Sequence, residues 1–171
     1  RAVHRLADEA TQAYEHARDA VKDFLNAECR EEIVFTSGTT SAINLVAFCY
    51  GEAFVNEGDE VIVTEAEHHS DIVPWQMMCK RKGAVLKVLP VDDDGYLKVE
   101  MLDELISAKT RILACTHISN VLGIVNPVKQ IIDKCHAEGV PVLVDGAQGI
   151  VHSKVDVQDL DCDFYVFSGH K

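Results

Sequence analysis

The sequence contains no uninterrupted apolar run near the ~18 residues that a membrane-spanning helix needs, so no such helix is expected. Basic residues are in short supply: 16 Lys and Arg stand against 28 Asp and Glu, for a formal net charge of −12. That balance argues against nucleic acid or an anionic membrane as partner, because both attract basic patches. The six cysteines (Cys29, Cys49, Cys79, Cys115, Cys135, Cys162) include no CxxC pair. A disulfide framework and a zinc site are therefore both disfavoured, and reduced thiols in a cytoplasmic protein are the expectation. Each cysteine lies in or beside an apolar stretch, which predicts six buried, inert thiols. There is no GxxxxGK[ST] and hence no P-loop, and no HExxH or HxH to suggest a metal centre. Internal repeats, low-complexity tracts and linkers are also missing, so the chain reads as one domain. The opening "RAVHRLADEA" has neither an initiating Met nor the architecture of a signal peptide, and part of the natural N-terminus is expected to precede it.

What is present describes a globular α/β protein. Hydrophobic residues make up 47% and charged residues 26% of 171 residues, enough to bury a sizeable core. Val3, Leu6, Ala7, Ala10, Tyr14, Ala17, Val21, Phe24 and Leu25 keep helical spacing and predict one long amphipathic helix. Six apolar runs then alternate with helical segments: "EEIVFTSG", "DEVIVTE", "AVLKVLPV", "TRILACTHI", "VPVLVD" and "DFYVFSG". The runs lack polar alternation, as strands covered on both faces do. The prediction is a three-layer α/β/α domain with a mainly parallel sheet. Ser70 is a plausible N-cap for a helix through "DIVPWQMMCKRKG", with Pro74 in its first turn, and Gly139 suits a helix C-terminus.

Ligands of open α/β sheets bind outside the carboxyl ends of the strands. The segments there are rich in chemistry: "TSGTT" at 36–40, "EAEHHSD" at 65–71, "HISNVLG" at 117–123, "DGAQ" at 145–148 and "SGHK" at 168–171. Gly38, Thr39 and Thr40 at a helix start form either an ordinary cap or an anion site. Asp145 could act as a base, hold a metal, pair with a cationic heteroaromatic ring, or cap the next turn. At most one of the adjacent His68 and His69 is expected to face the site; His117 and His170 add imidazoles without metal-ligand spacing. Lys171 follows an apolar strand, where desolvation would favour a nucleophilic amine, and Gly169 would let the backbone turn sharply. Together these parts meet the needs of pyridoxal phosphate: a Schiff-base lysine, an acid at the ring nitrogen, an aromatic face and donors for the phosphate.

In order and spacing, "EHHSDIVPWQ", "THISNVLGIVNP", "VLVDGAQG" and "DCDFYVFSGHK" resemble the class V aminotransferase family of fold-type I pyridoxal-phosphate enzymes. Within it they look most like cysteine desulfurases of the Suf type and their relatives the selenocysteine lyases. The resemblance implies that Lys171 is the Schiff-base lysine and that Asp145 pairs with the pyridinium nitrogen. It implies Gln148 beside the phenolic oxygen and His68 stacked on the ring, where it could also relay protons. Thr39, Thr40, Ser168 and His170 would bind the phosphate, and Asn120 would lie near the cofactor and the substrate carboxylate. The activity implied is removal of sulfur from L-cysteine, giving alanine and an enzyme persulfide for iron–sulfur cluster or other sulfur-carrier biosynthesis. A homodimer and a sulfur-acceptor protein are implied as well.

None of the six cysteines matches the family's persulfide cysteine, which lies downstream of the lysine together with carboxylate-binding arginines. Residues 1–171 are therefore expected to be part of the cofactor-binding large domain, without an N-terminal arm and a C-terminal part, and to be inactive alone. A family strand that follows the lysine runs antiparallel between the last strand and the first, so an internal gap in the sheet is expected here. Selenocysteine lyase, another class V enzyme (aminotransferase or kynureninase-like), and a non-catalytic cofactor-binding or dimerisation module remain as alternatives.

Overall fold

The computed structural model describes residues 4–171, so Val3 of the predicted helical stripe lies outside the described residues. These residues form two compact units. One runs to Phe35 and includes Val155–Asp159; the other comprises Thr36–Lys154 and Leu160–Lys171.

The first unit is built on helix α1 (Arg5–Leu25), which carries Asp8 in its first turn and Lys22 in its last, each complementing the helix dipole. Asn26 ends it in the left-handed conformation. The predicted strand in "EEIVFTSG" does not form. Arg30–Glu32 is a single 3-10 turn, and no strand follows it. The reason lies in the partners of its carbonyls. Arg18 donates from Nη2 to Arg30 O (2.7 Å) and from Nε to Ile33 O (3.0 Å), so a guanidinium takes the place of a neighbouring strand. Arg30 in turn grips Asp19 through two bonds of 2.6 Å.

The second unit holds a five-stranded, all-parallel sheet: β1 (Glu60–Thr64), β2 (Val85–Leu89), β3 (Thr110–Thr116), β4 (Val142–Asp145) and β5 (Phe164–Val166). The order is β2-β1-β3-β4-β5, with every neighbouring pair in parallel register. The sheet is continuous, so the expected internal gap is not found; β2 and β5 are its edges. Alternate residues enter opposite layers. Val61, Val63, Ile112, Ala114 and Leu143 pack with Ile43, Ala47, Trp75 and Met78 of helices α2 (Thr39–Phe54) and α3 (His69–Lys82). Ile62, Leu113, Cys115, Val142 and Val144 pack instead with Ile131, Ile132 and Cys135 of α5 (Val128–Ala137) and Leu102 of the short α4 (Leu102–Leu105). Burial on both faces is why these strands read as unbroken apolar runs. The predicted three-layer parallel architecture is the one observed.

Local differences have physical causes. Helix α3 starts at His69, two residues earlier than predicted, and its N-cap is His68 rather than Ser70. Pro74 thereby falls beyond the first turn, and the Ser70 carbonyl loses its helical donor. "VEMLDELISA" forms only a 3-10 turn, Val99–Met101, and the four residues of α4. Gly139, at φ 70, follows α5 as predicted. Cys79, Cys115 and Cys135 are buried and Cys162 partly so, but Cys29 and Cys49 are exposed, against the expectation for all six. Cys49 sits off the stripe of Ile43, Ala47 and Gly51 that α2 turns inward; Cys29 lies in the turn after α1. No helix among the described residues is long and apolar enough to cross a membrane.

Candidate functional site

After β1 the chain runs through α3 to β2 on one side, then returns to place β3 on the other side of β1. The carboxyl ends of β1 and β3 therefore form a topological switch point, the usual crevice for ligands in such sheets. A cavity of about 210 Å³ opens within the second unit. Its wall includes every sequence-predicted site residue: Thr39, Thr40, His68, Asn120, Asp145, Gln148, Ser168, His170 and Lys171.

One wall is the start of α2. Gly38 has φ 137, open only to glycine, and a β-carbon there would lie 3.3 Å from Ser168 Oγ. That bend lets the Thr39 N–H donate to Ser168 Oγ (2.9 Å), while the Thr39 and Ser168 hydroxyls meet at 2.7 Å. Both residues are buried, so the helix start is fastened to the segment after β5. The first turn of this 16-residue helix holds no acidic residue, which leaves the positive end of its dipole uncompensated beside the cavity. Thr40 and His170 are exposed at the rim.

His68 enters from the loop after β1. Its Nδ1 accepts the Ser70 N–H (3.2 Å) and meets Ser70 Oγ (2.8 Å), so in the neutral ring the proton resides on Nε2. His69 stands at 88° to it and is not part of the cavity wall. Of the two histidines, only His68 faces the site.

Asp145 ends β4 at 4% exposure. Its Oδ1 accepts the Ala147 N–H (2.9 Å), so it does cap the next turn, while its carboxyl also borders the cavity. Burial raises this carboxyl above its ordinary range, and the Ala147 N–H and the charges of Lys171 and His68 oppose the rise. Gln148 is half-buried at the head of the short helix α6 (Gly149–His152), and Asn120 is exposed on the loop after β3. Asn126, missed from sequence, pins that loop by donating from Nδ2 to Thr116 O (2.8 Å).

Lys171 lines the cavity and is exposed. One expectation fails here. Gly169 has no positive φ, and a β-carbon there would meet nothing within 4 Å. The glycine that matters is Gly146, whose β-carbon would lie 2.1 Å from the Tyr165 ring. Behind it Tyr165 Oη and His117 Nδ1 share a bond of 2.9 Å, so His117 braces the cavity from behind instead of lining it. Gly146→Ala is expected to destabilise the full-length protein by about 1–3 kcal/mol, read by denaturant unfolding. Gly169→Ala, with ordinary backbone and open space, is expected to leave stability unchanged.

Among the described residues no three His, Cys, Asp or Glu side chains converge as metal ligands. An amine, a buried carboxylate, an imidazole and an uncompensated helix start line one cavity at the switch point of this three-layer α/β protein, which makes it a candidate site for an anionic small molecule. The chain belongs to the class-V aminotransferase family, whose model matches residues 1–171. A cysteine desulfurase of Enterobacter sp. (strain 638) is 57% identical over 171 residues, covering 100% of this chain and 42% of that protein. The crystal structure of the Escherichia coli cysteine desulfurase CsdA (S-sulfonic acid) superposes with a TM-score of 0.90 at 45% identity, covering 99% of this chain and 43% of that one. The structure of a C-DES variant with glycine covalently linked to its PLP cofactor superposes with a TM-score of 0.85 at 26% identity, covering 97% and 44%. The chain thus spans 42% of the length of the curated relatives it matches.

Proposed function

We propose that the full-length protein is a pyridoxal-phosphate-dependent cysteine desulfurase and that residues 1–171 supply most of its cofactor site. The observation that carries this is the convergence of Lys171, Asp145, His68, Ser168 and Thr39 on one cavity. Family membership and relatives named cysteine desulfurase support it.

The residues present fit the cofactor. Asp145 has one carboxylate oxygen occupied by a backbone N–H; the other has no hydrogen-bond partner among the described residues and is suited to a protonated ring nitrogen. The α2 N-terminus, Thr40 and His170 suit a phosphate, with Ser168 and Thr39 locking the shape of that wall. When bound, pyridoxal phosphate supplies an electron sink for charge released at the substrate's α-carbon. Lys171 supplies the amine that holds the cofactor and then moves the α-proton. His68, its Nδ1 held by Ser70, presents its ring and its Nε2 proton to the ligand. Asn120 and Gln148 offer amides to the substrate carboxylate and the cofactor's phenolic oxygen.

None of the six cysteines lines the cavity, so the thiol that takes the substrate sulfur is assigned to none of them. Burial also pushes Cys79 up to about 11 and Cys135 to about 12, leaving both protonated and poorly nucleophilic. In the overall exchange, a thiol of the enzyme takes the substrate sulfur as a persulfide and the carbon skeleton leaves as alanine. The proposal extends to a homodimer, a protein that receives the sulfur, and cytoplasmic residence, all resting on the family resemblance.

Full-length protein purified with pyridoxal phosphate is expected to form alanine and sulfide in equal amounts from cysteine and a reductant. Borohydride treatment and peptide mapping are expected to place the reduced cofactor on Lys171. Label on another lysine overturns the site assignment. Selenide release from L-selenocysteine with no turnover of cysteine makes the enzyme a selenocysteine lyase instead.

A further inference from the structure

We propose that Glu67 and Asp71 share a single proton between Glu67 Oε2 and Asp71 Oδ2, and that this bond is the clip that positions His68 at the cavity. Both groups belong to the chain itself, and the bond forms whatever ligand the cavity takes.

The two acids flank His68 in sequence, and each uses one oxygen conventionally. Glu67 Oε1 accepts from Thr64 Oγ1 (2.5 Å) and from the Thr116 N–H (2.7 Å), tying the ends of β1 and β3 together. Asp71 Oδ1 accepts from Trp75 Nε1 (2.9 Å) in the fully buried core of α3. The remaining oxygens, Glu67 Oε2 and Asp71 Oδ2, are both buried, and neither finds a donor among the described residues. The two side chains lie within hydrogen-bonding reach of each other, and these are the oxygens each has left for that contact. Two ionised carboxylates in that position would combine a double desolvation cost with direct repulsion, whereas one proton converts the clash into a charge-assisted bond. With Asp71 N–H also donating to His68 O (2.8 Å), loop 64–71 is closed at both ends around the histidine.

Among the described residues no cation acts on the pair to replace the proton. Asp145, from the end of β4, and Cys115, from β3, are the titratable groups that face the pair. The surface that α2 packs on α3 carries Ile43, Ala47 and Gly51, none of them ionisable. Burial is the first cause that drives Glu67 well above the carboxylate range, with the Asp71 charge adding to it. Burial is also the first cause that raises Asp71, to about 7, so the pair holds a proton in the native state. A carboxyl whose folded pKa is raised stays protonated in the native state where the unfolded chain has released its proton. Stability therefore falls as pH rises from about 4 through the pair's own titration.

The test is a double-mutant cycle in the full-length protein, combined with infrared difference spectroscopy. Glu67→Gln keeps an acceptor for Thr64 and Thr116 and an N–H for Asp71. Asp71→Asn keeps an acceptor for Trp75 and an N–H for Glu67. The double variant sets two amide NH₂ groups against each other. Each single variant is expected to melt within ~3 °C of the parent, and the double to lose at least ~5 °C beyond the sum or to fail to accumulate. The parent is expected to show the C=O stretch of a protonated carboxyl at pH 7, absent in Glu67→Gln. The decline of parent stability from pH 4 upward, measured relative to Glu67→Gln, is expected to vanish with it. Additive losses, a single variant that fails to fold, or a parent without the carboxyl band overturns the proposal.

Discussion

Lys171→Ala in the full-length protein is expected to slow sulfide release from cysteine by at least ~10²–10⁴-fold, the range typical of a lost proton-transfer group, while melting like the parent. The melts are the folding control: among the described residues Lys171 makes no hydrogen bond or ion pair, and only its field reaches Asp145. The activity half follows from placement, since among the residues lining the cavity Lys171 is the one with an aliphatic amine. Lys171→Arg sharpens the result. It keeps the positive charge beside Asp145 but puts in a guanidinium that stays protonated and cannot serve as a nucleophile, so it is expected to be as inactive as alanine. Initial rates of sulfide and alanine formation, with thermal melts of the same preparations, decide the matter. Either variant working within tenfold of the parent would remove Lys171 from the proposed chemistry.

The sheet was legible from sequence because strands buried on both faces must be apolar throughout, and Val61–Thr64 or Val142–Val144 cannot be mistaken for surface segments. The same signal misled at Ile33, Val34 and Phe35. Those residues are equally apolar, but Arg18, distant in sequence, takes the Ile33 carbonyl that a strand would have given to a neighbour, together with that of Arg30 just before the run. The cavity wall was legible for a topological reason: parallel strands bring all their carboxyl ends to one edge, so polar residues after successive strands converge. What could not be read were groups defined by a partner in space. Glu67 and Asp71 look like solvated charges until both are seen buried against each other. Tyr165 looks like part of an apolar strand until its ring lies across Gly146. Gly169 shows the reverse error, a glycine beside functional residues whose backbone asks for nothing special.

Asp145→Asn is expected to move activity and stability in opposite directions. The substitution keeps the bond to the Ala147 N–H, because the amide oxygen accepts as the carboxylate does. It changes the atom on the cavity side from a charged acceptor to a neutral donor. If Asp145 holds a protonated ring nitrogen, as proposed, that interaction reverses sign and the electron sink weakens, so kcat for cysteine is expected to fall by about 10²–10⁴-fold. Without a ligand the effect is the opposite. Burial raises the folded pKa of Asp145, so the protein retains a proton there that the unfolded chain has already lost; the charged carboxylate costs stability once pH exceeds its unfolded value of about 3.9. Asparagine removes that cost, and the cofactor-free variant is expected to unfold at a higher denaturant concentration than the parent at pH 7, with the two converging toward pH 4. The kinetic and unfolding measurements test separate claims. A stable variant with parental kcat would leave Asp145 as a turn cap alone, whereas a less stable variant would show that its charge is compensated in the folded protein.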